Sequence, residues 1–193
     1  MTYYELLLIL HIVASIIWLG AGFMLALLVF GAARAGDHQR EATYHEDVGW
    51  LTPRLFIPAS MSVFVLGVLL VLEGSWTFDQ LWIVIALAGW LTSFLLGILF
   101  FKPEAERLAE MAEQRGPTDP EIQARVRRVN LVERVQLVVL FLVVVDMVLK
   151  PTGDDAGLLI AGAVILLAAT GIASAAIRRG PVQATVAPAG EGR

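Results

Sequence analysis

The chain has 193 residues, 58% hydrophobic and 17% charged, with a mean hydropathy of +0.74. A soluble domain is nearer ~45–50% apolar and ~25% charged, so this is the composition of a polytopic membrane protein. The absence of cysteine excludes disulfides, thiolate metal sites and iron–sulfur clusters, and a net charge of −4 argues against nucleic acid as a partner.

The first apolar stretch, Leu6–Ala33, exceeds the ~20 residues a spanning helix needs. It has no basic flank and is too long for a secretory h-region, so a retained helix is expected. Its one ionisable side chain is His11. His11, Ser15, Trp18 and Gly22 share a helix face. Hydrocarbon cannot satisfy an imidazole or an indole N–H, so this face is expected to meet protein. Tyr3 and Tyr4 suit an interfacial belt.

A polar loop, 34–54, follows, in which Asp37 can cap a short helix. Pro53 and Pro58 bracket the start of a second span, Leu55–Leu72. Glu73-Gly74-Ser75 ends it, with Trp76 and Trp82 at the interface. The third span is Leu81–Phe101, and Lys102-Pro103 marks its edge. Residues 103–130 then read as a helical hairpin turning at Gly116-Pro117. Its second helix starts either from a Thr118–Glu121 capping box or from Asp119-Pro120. That helix runs unbroken to Lys150, and its spanning part is Leu131–Leu149. A Gly/Ala-rich fifth span, Gly157–Ile177, suits close helix packing, and residues 178–193 read as a disordered tail. There is no internal repeat.

Thirteen of the 14 Lys and Arg residues fall in the 34–54 loop, around the hairpin, or in the tail; Lys150 stands alone on the other side. The positive-inside rule then places the N-terminus outside and the C-terminus in the cytoplasm. The expected fold is all-α. It is a single five-span helical bundle over residues 1–177 in the cell inner membrane, with the 103–130 hairpin cytoplasmic.

Topology sorts the polar residues by depth. His11, Asp146 and Glu73 lie toward the outer leaflet and could line a proton or ion path, since ionisable groups in a membrane are costly. The alternatives are a satisfied helix contact for His11 and an i,i+4 pair between Asp146 and Lys150. Trp18 and Trp90 fall mid-span, either against a flat cofactor or filling the core with the indole N–H on a carbonyl. His38, Glu41 and His45 recur at i, i+3 and i+7 and have the ligand types of a Zn or Cu site, or form a solvated face. Glu133 can pair with Arg134, Arg54 or Lys102. Arg125, Arg127 and Arg128 could attract anionic lipid. No P-loop, GxSxG, HExxH or dinucleotide fingerprint occurs.

LHIVASIIWLGAGF in the first span, with RLFIPAS (Arg54–Ser60) and the hairpin, resembles a bacterial group of predicted integral membrane proteins of unknown function. The His11–Trp18 spacing is also similar to the opening helix of HemJ-type membrane protoporphyrinogen oxidases, and more distantly to CopD-type copper-resistance membrane proteins. The HemJ resemblance implies haem b on His11, beside Trp18. No other histidine lies in a span, which leaves Met147 as second ligand. The first span ends in FGAARAGD where the HemJ partner motif would stand, so the oxidase activity is not carried over. The expected function is a non-catalytic structural, assembly or accessory role in the bilayer, with a cytoplasmic protein docking on 103–130. A haem b redox module and a small ion, proton or solute transporter stand as alternatives. Self-association is left open.

Overall fold

The computed structural model describes residues 1–178, and all its regular elements are helical. The expected tail, 178–193, lies outside the described residues apart from Arg178, which closes the last helix.

Helix α1, Tyr3–Ala35, opens with a capping box: the Thr2 hydroxyl accepts from the Glu5 N–H at 3.2 Å, and the Glu5 carboxylate accepts from the Thr2 N–H at 2.7 Å. It ends at Gly36, whose φ of 69° is the left-handed conformation that glycine adopts without strain. Asp37 then caps α2, His38–Leu51, accepting from the Arg40 N–H at 3.0 Å.

Pro117 follows the end of α5 as expected, but Pro53, Pro58 and Pro103, expected at the edges of spans, lie inside continuous helices. α2 runs through a π-helical turn, Thr52–Phe56, into α3, Ile57–Glu73, as one helix from His38 to Glu73. α4, Leu81–Leu96, likewise passes through a π-helical turn, Gly97–Phe101, into α5, Lys102–Arg115. A proline inside a regular helix removes a hydrogen bond and clashes with the carbonyl four residues back. A π turn widens the helix there. Around Pro53, side chains supply donors to the backbone: the Thr52 hydroxyl donates to the Val48 carbonyl at 2.7 Å, and Arg54 donates to the Trp50 carbonyl at 3.1 Å.

α6, Pro120–Leu149, starts from Asp119, whose carboxylate accepts from the Glu121 N–H at 2.8 Å. Of the two starts open in the sequence, Asp119 at the cap with Pro120 following is the one formed. α7, Ala156–Arg178, closes the described chain.

The described residues therefore fold into five continuous helices. Four are long and apolar enough to cross a membrane; α6 is not among them, because Glu133, Arg134 and Asp146 all fall in its most apolar stretch. α1 packs chiefly on α3, α4 on α6, α7 on α6, and α2 on α5. The seam of α1 steps by three and four through Leu7, His11, Ala14, Trp18, Gly22, Leu25, Val29 and Ala32, all buried or half-buried. The first seam expected from sequence thus does face protein. At the α2–α5 end, Leu108, Ile122, Val126 and Val129 form a small apolar core between α5 and α6, with Phe101 and Met111 against it. Elsewhere large apolar side chains such as Ile16, Leu99, Val148 and Leu167 are exposed, as a bilayer requires.

Candidate functional site

His11 lies on α1 against the backbone of α3. Its Cε1 is 3.2 Å from where a β-carbon on Gly67 would sit, and Val63 flanks the ring one turn away. Ser15 does not extend this polar contact across helices, because its hydroxyl donates to the His11 carbonyl at 2.8 Å. α1 and α6 run antiparallel, with Phe23 edge-on to Phe141 at 5.9 Å and Arg134 over Phe30 at 5.1 Å. Asp146 is then level with Trp18, seven residues or ~10 Å along α1 from His11. Met147 shares that deeper level, and Glu73 is exposed at the end of α3. A haem held by His11 and Met147 does not fit: one side of the imidazole is filled by α3, and Trp18 faces a different space.

Asp146 is 7% exposed, and neither carboxylate oxygen has a hydrogen-bond partner. The expected pair with Lys150 is not formed. Lys150 takes φ 49° at the end of α6, and its ammonium lies over Trp76 at 4.1 Å and Trp82 at 5.4 Å. Trp76 and Trp82 meet edge-on at 5.2 Å, and a cation this close to both rings is held by cation–π attraction. Trp90 fills core: its N–H donates to the Ser60 carbonyl at 3.1 Å and hydroxyl at 3.0 Å, between the rings of Phe64 and Phe94.

The polar groups converge elsewhere. A cavity of about 120 Å³ lies between α1, the α2–α3 helix, the α4–α5 helix and α6. Trp18 and Gly22 line it from α1, His45 from α2, Ser93 from α4, and Glu133 and Gln136 from α6. Both π turns face it, through Thr52 and Phe56 on one side and Gly97 and Phe101 on the other. His45 is 4% exposed and Ser93 2%. The His45 Nε2, the Ser93 Oγ and the Gln136 Oε1 are buried without partners, while the Gln136 amide donates to the Ser93 carbonyl at 3.4 Å. Buried polar groups are normally satisfied by protein or by ordered water. The walls are mostly apolar, and beside these polar groups a space of this size has room for several waters.

Burial alone pushes the His45 imidazole down to about 4, so it is neutral at pH 7. The expected ion pairs of Glu133 are not made. Arg134 lies over Phe30, Arg54 over Trp50 at 4.7 Å, and Lys102 reaches Glu106 at 3.9 Å. Glu133 instead lines the cavity. The His38–Glu41–His45 face is divided in the same way. His38 Nδ1 is 3.7 Å from Glu41, Glu41 accepts from the Asn130 amide at 3.0 Å, and His45 opens on the cavity. Among the described residues no three His, Asp or Glu side chains group to hold a metal. A larger cleft of about 360 Å³ lies between α2 and α5, edged by Glu46, Glu110 and Glu113, but no buried unpartnered polar atom belongs to its walls.

Sequence reasoning singled out His45 and Glu133 for other reasons and passed over Ser93 and Gln136. The available signal was the i,i+3 pair Glu133–Gln136 on an otherwise apolar stretch of α6.

The fold is that of a multi-pass α-helical integral membrane protein. Residues 5–151 match the family described as predicted integral membrane protein (DUF2269), and the chain belongs to that family. The match runs from the start of α1 to the end of α6 and leaves α7 outside it. Comparison with curated proteins and with solved structures gives no match, and the first-helix likeness to HemJ and CopD finds no support there.

Proposed function

We propose that this is a small inner-membrane transport protein whose cargo, a small polar solute or ion, occupies the cavity between the two π turns. The observation that carries this reading is the set of buried, unpartnered polar atoms on His45, Ser93 and Gln136 around one space that also holds a carboxyl group, Glu133. A purely structural core at this depth would be cheaper if apolar, since each unsatisfied group costs about 1–3 kcal/mol. Asp146, level with Trp18, is also buried and unpartnered, and lies outside the lining of this cavity nearer the far end of the bundle.

In this reading the chain crosses the membrane five times, with the N-terminus outside and the cavity opening toward the cytoplasm. The Lys and Arg distribution supports that orientation. The exposed surface supports a separate point, that residues 102–140 lie outside the apolar belt. No large apolar side chain is exposed from Lys102 to Leu140, whereas Phe141, Val144, Val145 and Val148 are. The charges that weaken α6 as a span are turned away from lipid: Glu133 lines the cavity and Asp146 is buried. Arg134, near the expected membrane edge, can reach water with its long stem along apolar surface.

Docking of a partner on 103–130 has less support, because the apolar face of that segment is already covered within the chain.

The test is reconstitution into liposomes, with flux of protons and a panel of small solutes followed by trapped dye and by light scattering. Flux above that of empty liposomes is expected, falling at least tenfold in Glu133→Gln and unchanged in Glu73→Gln. Flux equal to that of empty liposomes for every solute would overturn the transport reading.

A further inference from the structure

Among the described residues two acids, Glu41 and Asp146, are buried. Glu41 accepts a hydrogen bond from the Asn130 amide at 3.0 Å. Asp146 is 7% exposed, and both its oxygens are buried without a partner. It lies among lipid-facing neighbours, since Val144, Val145 and Val148 on the same stretch of α6 are all exposed. Asp146 itself is turned inward. Val143, one turn before it, meets Gly89 of α4, and the buried Ala86 follows one turn along α4. Asp146 is also only three residues, ~4.5 Å, from the end of α6 at Leu149.

The surroundings offer it no counter-charge. α4 holds no titratable side chain, and α7 holds none before Arg178 at its far end. On α1, where Trp18 is level with Asp146, the nearest titratable group is His11, ~10 Å along the helix. α2 and α5 meet α6 at its other end, around Asn130 and Val126. On α6 itself Glu133 and Arg134 are at least twelve residues, ~18 Å, away. Beyond the end of α6, the Lys150 ammonium lies over Trp76 and Trp82, and the Asp155 carboxylate accepts from the Thr152 N–H and hydroxyl. Glu73, Asp79 and Asp154 in the same end of the bundle are exposed.

An ionised carboxylate in such a place would lack both a cation and a donor, whereas the acid form buries no charge. The acid still leaves its O–H unbonded, so Asp146 is not a finished packing contact. A leucine would fill the place with no polar atom to satisfy. An ionisable group retained at bilayer depth, one turn from water, has the makings of a proton carrier. We propose that Asp146 is a proton-binding site that exchanges with the outer face through the end of α6. This rests on the transport reading for its purpose: the proton taken up at Asp146 is the ion to which movement of cargo through the separate cavity is coupled.

The test is labelling with N,N′-dicyclohexylcarbodiimide, an apolar reagent that adds to a protonated carboxyl group and remains on it as an acylurea. Right-side-out membrane vesicles holding the full chain are treated with the pH set separately on each side, and the label is placed by peptide mass spectrometry. A label on Asp146 is expected, absent in Asp146→Asn and falling at least tenfold as the outside is raised from pH 6 to pH 9. Raising the inside alone should leave it unchanged, and the exposed Glu73 should stay unlabelled. No label on Asp146 in the folded wild type would overturn the proposal. So would a label indifferent to pH on both sides, which marks a sealed carboxyl group, or one that follows the inside pH alone. Placing the label by peptide keeps the result independent of whether Asp146→Asn folds. A pH-dependent label without flux in liposomes would remove the transport reading and keep the proton site; flux without a label on Asp146 would do the reverse.

Discussion

At Gly89 a β-carbon would overlap the Val143 side chain, so α4 and α6 approach as closely as they do because that position has no side chain. Gly89→Ala is expected to lower stability by about 1–3 kcal/mol through overpacking. Adding Val143→Ala to the same chain should recover part of that loss. Unfolding of the single and double variants in detergent, compared as a cycle, measures the coupling. His45 carries a pH effect of definite sign. Its folded value of about 4 lies below its ordinary 6.5, so as pH falls the unfolded chain takes up the proton first. The stability it contributes is complete above pH 6.5 and is lost progressively between about 6.5 and 4, with an upper bound of about 3 kcal/mol. The slope of the unfolding midpoint against pH should differ between wild type and His45→Gln over that window, the wild type losing stability relative to the variant as pH falls. An unchanged slope would place the titration on another group. That His11 faces protein was legible from its neighbours at i+4, i+7 and i+11. That His45 shares a cavity with Glu133 and Gln136 was not, because those residues sit on helices brought together only by the fold.

The starts of α2 and α6 were written in the sequence, through Asp37 and Asp119 at caps, whereas the Thr2–Glu5 capping box that opens α1 was not read there. Neither were the helix joins. Pro53, Pro58 and Pro103 carry the local signature of a stop, and what overrides it is a pair of π turns whose sequences, TPRLF and GILFF, hold no common signal. Such turns lack the regular hydrogen-bond pattern and are often kept where function needs them. Their amides should exchange with solvent faster than those in the middle of α3 and α4. Hydrogen–deuterium exchange with peptide-level readout across 52–56 and 97–101 would show it; protection equal to the flanking helices would mean the turns are rigid packing features.

For the whole molecule, the membrane class and the all-α fold followed from composition and hydropathy, whereas the joining of segments into longer helices did not. The orientation rests on charge alone, and the missing cysteines make it easy to check. A single cysteine at Glu110 should react with a membrane-impermeant maleimide only after cells are opened, and one at Asp154 in intact cells. The opposite pattern would invert the topology. The two unbroken helices, His38–Glu73 and Leu81–Arg115, have a mechanical consequence. Each is ~50 Å long at 1.5 Å per residue, and each carries its π turn beside the cavity. Their α2 and α5 ends pack on each other. A force that parted those two ends would act through both helices on opposite walls of one chamber, so the α2–α5 contact is a handle on the space inside.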